Sequence, residues 1–478
     1  MEKDTRGFKR EIKLFDAVMI VAGTMIGSGI FIVSADIARE VGSPGYLLLV
    51  WFISGFITMV GALSYAELAG MMPKAGGQYI YLREAYNPLV SFLYGWTLFL
   101  VIQTGTIAAV GVAFARFTGV LLPDVISETN LILNLGFLRV SSLQLLAIAS
   151  IVLLTYLNSQ GVKNGKLIQN IFGSTKIIAL FALILLGFII GQQADAISLN
   201  FNHMWEAQKV TVADGVVSSS TPLSGISIIV AIGIAMIGSL FSSDSWNNIS
   251  FAGDEVVDPT KTLVRSLAIG TGLVTLIYLL LNLIYLLVLP LPAIQTATSD
   301  RVAVAAASAI GGPAAMLAIA VLIIISTFGC NNGCILSGAR VYYAMAKDGL
   351  FFPAMARLNS KGVPAKALWF QCIWACLLCL SGTYGDLLGY VMFAVIFFYI
   401  LTIIGIFILR KKMPDLPRPY KAIGFPVLPA MYILLASTFC AILLIYRPSN
   451  SWPGVLLVLL GIPVYFIFRN RLQTQNNV

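Results

Sequence analysis

The chain has few charged residues for its length. Of its 478 residues, 11% are Asp, Glu, Lys or Arg, whereas 58% are apolar. Soluble proteins carry roughly 25% charged residues, because a surface that faces water is largely covered by them. The mean hydropathy of +0.90 agrees with this deficit. Together the two values exclude a soluble globular protein and indicate a chain embedded in a lipid bilayer.

Histidine is also scarce, and the cysteines do not show the spacing of a disulfide framework. His203 is the one histidine in the sequence, which argues against a histidine-based active site or a His-rich metal centre. The six cysteines lie in apolar segments and do not form the framework of a small secreted protein. The GxxxxGK[ST] pattern of nucleotide hydrolases is absent. The sequence therefore predicts no bound cofactor, no metal ion and no ATP.

Twelve segments are long and apolar enough to cross the bilayer. A spanning helix needs about 20 mostly apolar residues for roughly 30 Å of hydrocarbon. The ninth segment is the weakest because it is short and lies close to the tenth. Two further segments, 73–87 and 300–310, are expected to form short interfacial helices. The predicted spans are 14–38, 44–72, 88–117, 140–158, 166–191, 225–253, 263–290, 312–340, 367–381, 384–408, 426–446 and 454–469.

The basic residues predict the orientation of these spans. An even number of spans places both termini on one side, and 23 of the 30 Lys and Arg residues fall on that side. The positive-inside rule then predicts cytoplasmic termini in a multi-pass protein of the plasma (inner) membrane. This asymmetry explains the net charge of +9 without a nucleic-acid partner.

Two predicted spans contain sequences that interrupt a helix. Residues 23–31 (GTMIGSGIF) bring three glycines into the first span, and residues 238–248 bring Ser, Asp and Asn into the sixth. Glycine has low helix propensity, although Gly23 and Gly27 also form a GxxxG pair that lets two helices pack closely. Since each interrupted span begins a run of five helices, the placement is typical of transporters built from inverted repeats.

Breaks of this kind bind charged groups. Unwinding leaves N–H groups free at the start of one half-helix and C=O groups free at the end of the other. The first end attracts a carboxylate and the second an ammonium group. Glycines at positions 27 and 29 would let a carboxylate approach the backbone. Two breaks at mid-membrane therefore favour a zwitterion such as an amino acid.

Several segments, in order along residues 10–470, match one family. They are GTMIGSGIF at 23–31, SYAELAGMMPKAGGQYIYLREAY at 64–86, SDSWNN at 243–248, GDEVVDPTKTLVRSLAIG at 253–270, FGCNNGCILSGARVYYAMAKDGLFFP at 328–353 and LRKKMPDLPRPYKAIGFPVLP at 409–429. In these segments the chain resembles the amino acid–polyamine–organocation superfamily, especially the bacterial members of its L-type amino acid transporter branch. The resemblance implies an all-α integral membrane protein with twelve transmembrane helices. Its fold would be the leucine-transporter type, a 5+5 inverted repeat with helices 1 and 6 broken, plus two extra helices.

The resemblance and the spans together predict how the chain is divided. The expected parts are a cytoplasmic N-terminal arm (1–13), a first five-helix repeat (14–191), an extracellular loop (192–224), a second five-helix repeat (225–408), helices 11 and 12 (409–470) and a cytoplasmic tail (471–478).

The resemblance further implies alternating access to a substrate site between helices 1, 3, 6 and 8. Carried over by position, the carboxylate would meet Ile26, Gly27, Ser28 and Gly29, and the amino group would meet carbonyls near Thr24, Phe241 and Ser242. Phe241 would be the gate that closes over the substrate, and Asn332 would lie near the substrate side chain. Ser243 and Ser245 stand where relatives commonly have an aromatic residue or glycine, which predicts a roomier and more polar pocket.

Lys176 lies ten residues into the fifth span. A charged lysine at the bilayer centre costs roughly 3 kcal/mol on insertion scales, so a partner or a water-filled cavity is expected. Lys176 either bridges helices or, as in sodium-independent members that the chain resembles, replaces a sodium ion near the helix 1 break. The second interpretation predicts sodium-independent transport by exchange or proton coupling.

Three acidic residues have alternative roles. Asp244 either binds a cationic substrate or, like Ser243, caps the second half of helix 6. Glu67 and Glu255 are expected to form salt bridges or gates on the inner side, and snorkelling to the interface is the alternative for Glu67.

The predicted function is secondary transport of L-amino acids, with neutral ones favoured, rather than enzymatic catalysis. The alternatives are a cationic amino acid or polyamine permease that uses Asp244, and a non-transporting amino acid sensor on the same fold. Eukaryotic L-type members use a cysteine in the loop after helix 3 to join an ancillary glycoprotein. Residues 118–139 contain no cysteine, so no disulfide-linked ancillary subunit is expected.

Overall fold

The structure is a computed structural model that describes residues 8–134, 139–381 and 384–476. The first seven residues of the predicted N-terminal arm and the last two of the predicted tail lie outside the described residues. So do residues 135–138 of the first long loop and residues 382–383 between the ninth and tenth predicted spans.

Helices account for most of the described chain. The first half contains α1 (Leu14–Met25), α2 (Gly29–Val41), α3 (Pro44–Met71), α4 (Gln78–Ala85), α5 (Pro88–Thr97), a π-helical turn (Leu98–Ile102), α6 (Gln103–Leu121), α7 (Ser142–Ser159), α8 (Val162–Ile189) and α9 (Ala194–Asn202). The second half contains α10 (Ile226–Ser242), α11 (Asn248–Phe251), α12 (Pro259–Val288), α13 (Leu291–Gln295), α14 (Val302–Lys347), α15 (Ala365–Leu380), α16 (Tyr384–Lys412), α17 (Val427–Tyr446) and α18 (Pro448–Asn476). Short 3₁₀ helices are Gly253–Glu255, Thr298–Asp300 and Pro353–Ala356.

The apolar helices correspond to the twelve predicted spans. Within the described residues, ten helical segments are long and apolar enough to cross a membrane, and α10 and α15 are shorter apolar helices. The predicted interfacial helix at 73–87 is α4. The one predicted at 300–310 is the first part of α14, which bends at Gly311 and Gly312 just before Pro313. A proline at this position lacks the N–H that would continue the helix.

Helix 1, formed by α1 and α2, lies at the centre of the molecule. All residues from Asp16 to Met25 are buried, and α8, α12 and α14 pack around α1. The surrounding helices face two environments. On α8, Gly173, Lys176 and Leu180 are buried, whereas Ile171 and Ile178 are exposed. Apolar side chains on the exposed face are expected where lipid surrounds a helix.

Two small β-hairpins occur in the long loops, where the sequence predicted no strands. Strands β1 (Leu131–Asn134) and β2 (Arg139–Ser141) pair antiparallel, as do β3 (Gln208–Ala213) and β4 (Val216–Pro222). Asp214 and Gly215 connect β3 to β4 with φ values of 51° and 74°. An Asp-Gly pair with two positive φ angles is the preferred two-residue hairpin turn, so this dipeptide was a usable sequence signal for the hairpin.

Candidate functional site

Helix 1 is broken near its middle. α1 ends at Met25 and α2 begins at Gly29, so residues 26–28 connect two half-helices. Ile26 has a ψ of 89°, which is not helical. The first N–H groups of a helix have no acceptor within it, and Phe31 N–H uses the Ser28 carbonyl. The donors at the start of α2 therefore point into the break.

Helix 6 is broken in a corresponding place. α10 ends at Ser242, and α11 begins only at Asn248. Ser245, between them, has a φ of 68°, in the left-handed region that non-glycine residues rarely adopt. The residue that precedes α11 is Asn247, and no side-chain hydrogen bond caps this helix. The predicted capping by Ser243 or Asp244 is therefore not found among the described contacts, because α11 starts later than expected.

The two breaks lie against each other. The hydroxyl of Tyr278, on α12, donates to the carbonyls of Met25 at 3.0 Å and Ser242 at 2.9 Å. The hydroxyl of Thr24 donates to the carbonyl of Ser245 at 3.0 Å. One tyrosine thus holds the end of α1 and the end of α10 together, and sequence reasoning missed it.

The glycines of the helix 1 break permit close helix packing. A Cβ would lie 2.1 Å from Ser242 Oγ at Gly29, 2.0 Å from Gln169 Nε2 at Gly23 and 3.2 Å from Cys330 Sγ at Gly27. Such distances leave no room for a side chain at Gly23 or Gly29. The packing predicted from the GxxxG pair is present, with α8 and α14 as partners. A substrate carboxylate would have to approach the backbone of the helix 1 break from the side on which its N–H groups lie.

The carbonyls assigned to an amino group already have protein donors. Thr24 O accepts from the Cys330 thiol at 3.0 Å, and Phe241 O accepts from Asp244 N–H at 3.2 Å. Ser242 O accepts from Tyr278, as above. Because a carbonyl oxygen has two lone pairs, each retains one acceptor position. Phe241 itself is partly exposed in the last turn of α10.

Lys176 projects from α8 into the helix 1 break. Its side chain is fully buried, and its Nζ donates to the carbonyls of Gly23 at 2.5 Å, Ile26 at 2.7 Å and Ser326 at 3.3 Å. Ser326, on α14, also donates to the Ile26 carbonyl at 3.1 Å. Three oxygens surround the ammonium group, and within the described part of the chain no carboxylate pairs with it. Nor do the described His, Cys, Asp and Glu residues form a group of three that could hold a metal ion.

Asp244 lies beside the helix 6 break and accepts a hydrogen bond from Tyr399 of α16 at 2.7 Å. The ring of Tyr399 stacks on Trp246, with ring centres 4.9 Å apart. A small cavity of about 10 Å³ adjoins the carboxylate, and polar residues such as Gln103 and Asn248 also line it. The acid is thus paired with a phenol and is not exposed to an open pocket.

The described hydrogen bonds of Asn332 reach no residue of either break. Its Nδ2 donates to Gly165 O at 2.9 Å and to Gln169 Oε1 at 3.1 Å, and its Oδ1 accepts from Asn158 at 2.8 Å. These partners belong to α7 and α8. Cys330 is two residues earlier and therefore about 200° away around α14. The face of α14 that carries Cys330 is the one that contacts the helix 1 break. The structure therefore does not bring Asn332 together with the other predicted site residues.

The broken, buried helix pair can be compared with known proteins. The model of the amino acid permease family matches residues 12–468. Large neutral amino acids transporter small subunit 2 of Homo sapiens is 32% identical over 465 residues, covering 96% of this chain and 80% of the relative. The b(0,+)-type amino acid transporter 1 of Mus musculus is 29% identical over 481 residues, covering 98% and 89%. The chain belongs to the amino acid permease family. The predicted superfamily is confirmed, and the family consists of transporters rather than enzymes.

On the side of its N-terminus, the permease contains one fully buried ion pair and one partly buried ion pair. Glu255 Oε1 accepts from Arg340 Nε at 2.8 Å, with both side chains at most 1% exposed. Burial raises the pKa of Glu255, and the Arg340 guanidinium opposes this effect. Glu67 is also fully buried and accepts from Arg410 at 2.7 Å and 2.9 Å. The snorkelling alternative for Glu67 is therefore wrong, because its carboxylate is buried inside the protein and paired with Arg410 of α16.

The segment before α1 adds a backbone contact on the same side. Glu255 O accepts from the N–H groups of Glu11 at 2.9 Å and Ile12 at 3.0 Å, and Ile12 O accepts from Val257 at 2.8 Å. Ile12 and Val256 form a parallel β-bridge. The segment before α1 is thus hydrogen-bonded to the segment that follows helix 6.

On the opposite side the permease is open. Two cavities, of about 660 and 700 Å³, share Ile32, Arg116 and Ser299, and we call their union the outer vestibule. Ile32 lies three residues beyond Gly29, and Gly238 of α10 lines the second cavity. The outer vestibule therefore extends to within about one turn of each helix break.

Proposed function

We propose that this permease is a sodium-independent secondary transporter of L-amino acids that works by alternating access without a bound cofactor. The observation that carries the proposal is the Lys176 ammonium between the Gly23 and Ile26 carbonyls. In transporters with broken helices, carbonyls of the unwound backbone coordinate the coupling ion. An ammonium group at that position makes a sodium ion unnecessary, because it provides the same charge to the same oxygens.

The proposed substrate site is the space between the two breaks. The N–H groups around Ser28 and Gly29 would bind the substrate carboxylate, with Gly27 and Ile26 completing the connecting backbone. The remaining lone pairs of the Thr24, Phe241 and Ser242 carbonyls would accept from the substrate ammonium. The partial exposure of Phe241 supports its role as the gate above this site. Ser243, Asp244 and Ser245 would bound the pocket on the helix 6 side.

A neutral amino acid is the proposed substrate. Asp244 is engaged by Tyr399 at 2.7 Å, which reduces its attraction for a second cation. The name of the human relative, a transporter of large neutral amino acids, supports the same choice. The alternatives remain a cationic amino acid or polyamine permease that uses Asp244 after Tyr399 moves away, and an amino acid sensor that does not transport.

Several finer assignments belong to the proposal. The inner side would be the one with Glu67, Glu255 and both termini, in the plasma (inner) membrane, because most basic residues lie there. The ion pairs of Glu67 and Glu255 would open as an inner gate. The two five-helix repeats would span 14–191 and 225–408, with the breaks in the first helix of each.

No disulfide-linked ancillary subunit is proposed. The human relative is named a small subunit. The name describes the assembly of that protein and is not carried over to this chain. In the present chain five cysteines are buried and Cys376 is half-buried. A surface cysteine for such a bond is lacking, and a heterodimer that separates on reduction would contradict this assignment.

Counterflow into proteoliposomes tests the proposed function. Vesicles loaded with unlabelled L-leucine should accumulate labelled L-leucine, and replacing sodium with choline should leave the rate unchanged. Loss of uptake in choline would contradict the role of Lys176. Binding without any accumulation would favour the sensor, and accumulation of labelled arginine or putrescine in place of leucine would favour the cation permease.

A further inference from the structure

A groove of about 310 Å³, remote from the two helix breaks, is lined by apolar side chains. Its walls come from α5, the π-helical turn, the segment before the 3₁₀ helix Pro353–Ala356, α15 and α18. Seven of its nine lining residues are aromatic. Phe370 stacks on Phe99 with ring centres 4.9 Å apart, and Phe352 meets the rings of Phe370 and Phe468 edge-on at 5.4 Å and 5.8 Å. These ring contacts fix the shape of the groove.

The groove offers a ligand only hydrocarbon contacts. The polar groups of its side chains are two indole N–H groups, and both already have acceptors. Trp96 Nε1 donates to Leu457 O at 3.1 Å, and Trp374 Nε1 donates to Leu100 O at 2.9 Å. Ile373 is 61% exposed and Phe352 is 44% exposed, so the groove opens at the surface of the protein. In a chain that crosses a bilayer, an apolar surface of this kind contacts lipid acyl chains.

A lysine lies at one end of the groove. Lys366 is exposed in the first turn of α15, four residues before Phe370 and eight before Trp374. Residues at this spacing share one face of a helix. In the part of the chain that the structure describes, no carboxylate pairs with Lys366. A cation whose charge is not balanced thus lies on the same face as the aromatic wall.

The spacing of this face matches one leaflet of a bilayer. Eight residues of α-helix span about 12 Å, and one leaflet contributes half of the roughly 30 Å of hydrocarbon. With Trp374 at the depth of the acyl chains, the Lys366 side chain reaches the level of the lipid headgroups, where long basic side chains place their charge.

We propose that this groove binds an anionic phospholipid, whose acyl chain lies against Phe352, Phe370 and Trp374 and whose phosphate contacts the Lys366 ammonium group. An acyl chain fills a wall that has no polar group to offer, and a lysine ammonium is a common partner of phosphate. A zwitterionic lipid would present the same hydrocarbon, but its own cation would offset the attraction of its phosphate for Lys366. The inference does not depend on which substrate the permease transports.

The test measures lipid binding by quenching of tryptophan fluorescence, since Trp96 and Trp374 line the groove. The full chain is reconstituted in phosphatidylcholine vesicles, and a rising fraction of the lipid is replaced by phosphatidylglycerol with brominated acyl chains. Bromine quenches indoles that it contacts. In the wild type this lipid should reach half of its maximal quenching at about fivefold lower fraction than brominated phosphatidylcholine. That factor is the one expected for one basic residue at an anionic membrane surface.

Lys366→Gln should abolish the difference between the two brominated lipids, whereas Lys366→Arg should keep it. Lys421→Gln is the matched control, because Lys421 is also exposed, lies outside the groove and is predicted on the same side of the membrane. It should retain the preference. Val464→Phe narrows the groove without changing its charge and should weaken quenching by both lipids.

Equal quenching by the two lipids in the wild type would overturn the inference. Equal losses of preference in Lys366→Gln and Lys421→Gln would also overturn it, because they would show a general attraction of anionic lipid to the basic side. Unchanged quenching in a folded Val464→Phe protein would place the acyl chain outside the groove. Size-exclusion chromatography of each variant establishes that it is folded.

Discussion

The phenolic hydroxyl of Tyr399 donates to the carboxylate of Asp244 at 2.7 Å, across the space between α16 and the helix 6 break. In the proposed function, Asp244 is the acidic residue that would distinguish cationic from neutral substrates. Among the described residues, this buried carboxylate is paired with a phenol and with no basic side chain. This pairing makes the two residues a specific target for mutation.

Tyr399→Phe should destabilise the permease by about 1–3 kcal/mol, because a buried acceptor loses its donor. The same substitution in an Asp244→Asn background should cost less, since an unpaired amide is cheaper to bury than an unpaired carboxylate. A double-mutant cycle by thermal unfolding in detergent measures the difference. Strict additivity of the two changes would show that the hydrogen bond contributes no more with the carboxylate than with an amide at position 244.

Asp244→Asn alone should preserve counterflow of L-leucine within about threefold, because an amide oxygen still accepts from Tyr399. If the permease instead uses Asp244 to bind cations, the variant should lose transport of arginine or putrescine. Transport of both substrate classes should be measured in the same vesicles. Loss of leucine transport in a folded Asp244→Asn protein would contradict the proposed neutral specificity.

Lys176→Ala should reduce transport at least tenfold, because the Gly23 and Ile26 carbonyls lose a donor at the break. If the lysine replaces a cation, sodium chloride should raise the melting temperature of the variant more than choline chloride does. The wild type should show no such difference, since ligands stabilise only proteins that bind them. Thr175→Ala is the control, because this neighbour is exposed on α8. Equal responses to sodium and choline in the variant would argue for a helix-bridging lysine.

Gly29→Ala should impair folding or transport, since its Cβ would lie 2.1 Å from Ser242 Oγ. Adding Ser242→Gly removes the obstructing side chain and should restore part of the lost yield and activity. Gly272→Ala provides the control, because its Cβ would meet only the flexible end of Met59, at 3.1 Å. Fluorescence-detected size exclusion and counterflow measure the two effects. Failure of the second substitution to restore anything would mean that the contact is not the cause.

Arg340→Met should destabilise the permease by about 3–5 kcal/mol, because it leaves Glu255 buried without its partner. The double variant with Glu255→Gln should recover much of the loss, since no unpaired charge remains. Lys261→Met removes one member of an exposed pair with Asp258 and should change stability by less than about 1 kcal/mol. Similar losses of stability for the buried and the exposed pair would contradict the stabilising role assigned to the Glu255–Arg340 pair.

Much of the fold could be predicted because each span is a local property of about 20 residues. The breaks were predictable for the same reason, since Gly23, Gly27 and Gly29 weaken a helix whatever surrounds it. The β3–β4 hairpin was missed, although Asp214 and Gly215 carried a local signal for it. Lys176 stood out because charge inside a span is costly and requires a partner.

The partners of the site residues could not be predicted in this way. Tyr278, Ser326 and Tyr399 are single polar side chains in apolar helices, and nothing in their own segments indicates what they contact. Asn332 is a similar case, because its motif predicts a place near the substrate and only the structure shows that its hydrogen bonds go to α7 and α8. Glu67 likewise appeared able to reach water, but it lies against Arg410.

The sequence alone thus determined the membrane location, the number of spans and the positions of the two breaks. It did so because hydrophobicity and helix propensity act over a few neighbouring residues. The tertiary structure decided that Tyr278 joins the breaks, that Lys176 meets carbonyls rather than a carboxylate, and that aromatic side chains from distant segments line one groove beside Lys366. These relationships depend on how helices far apart in sequence are rotated and packed, which local patterns do not specify.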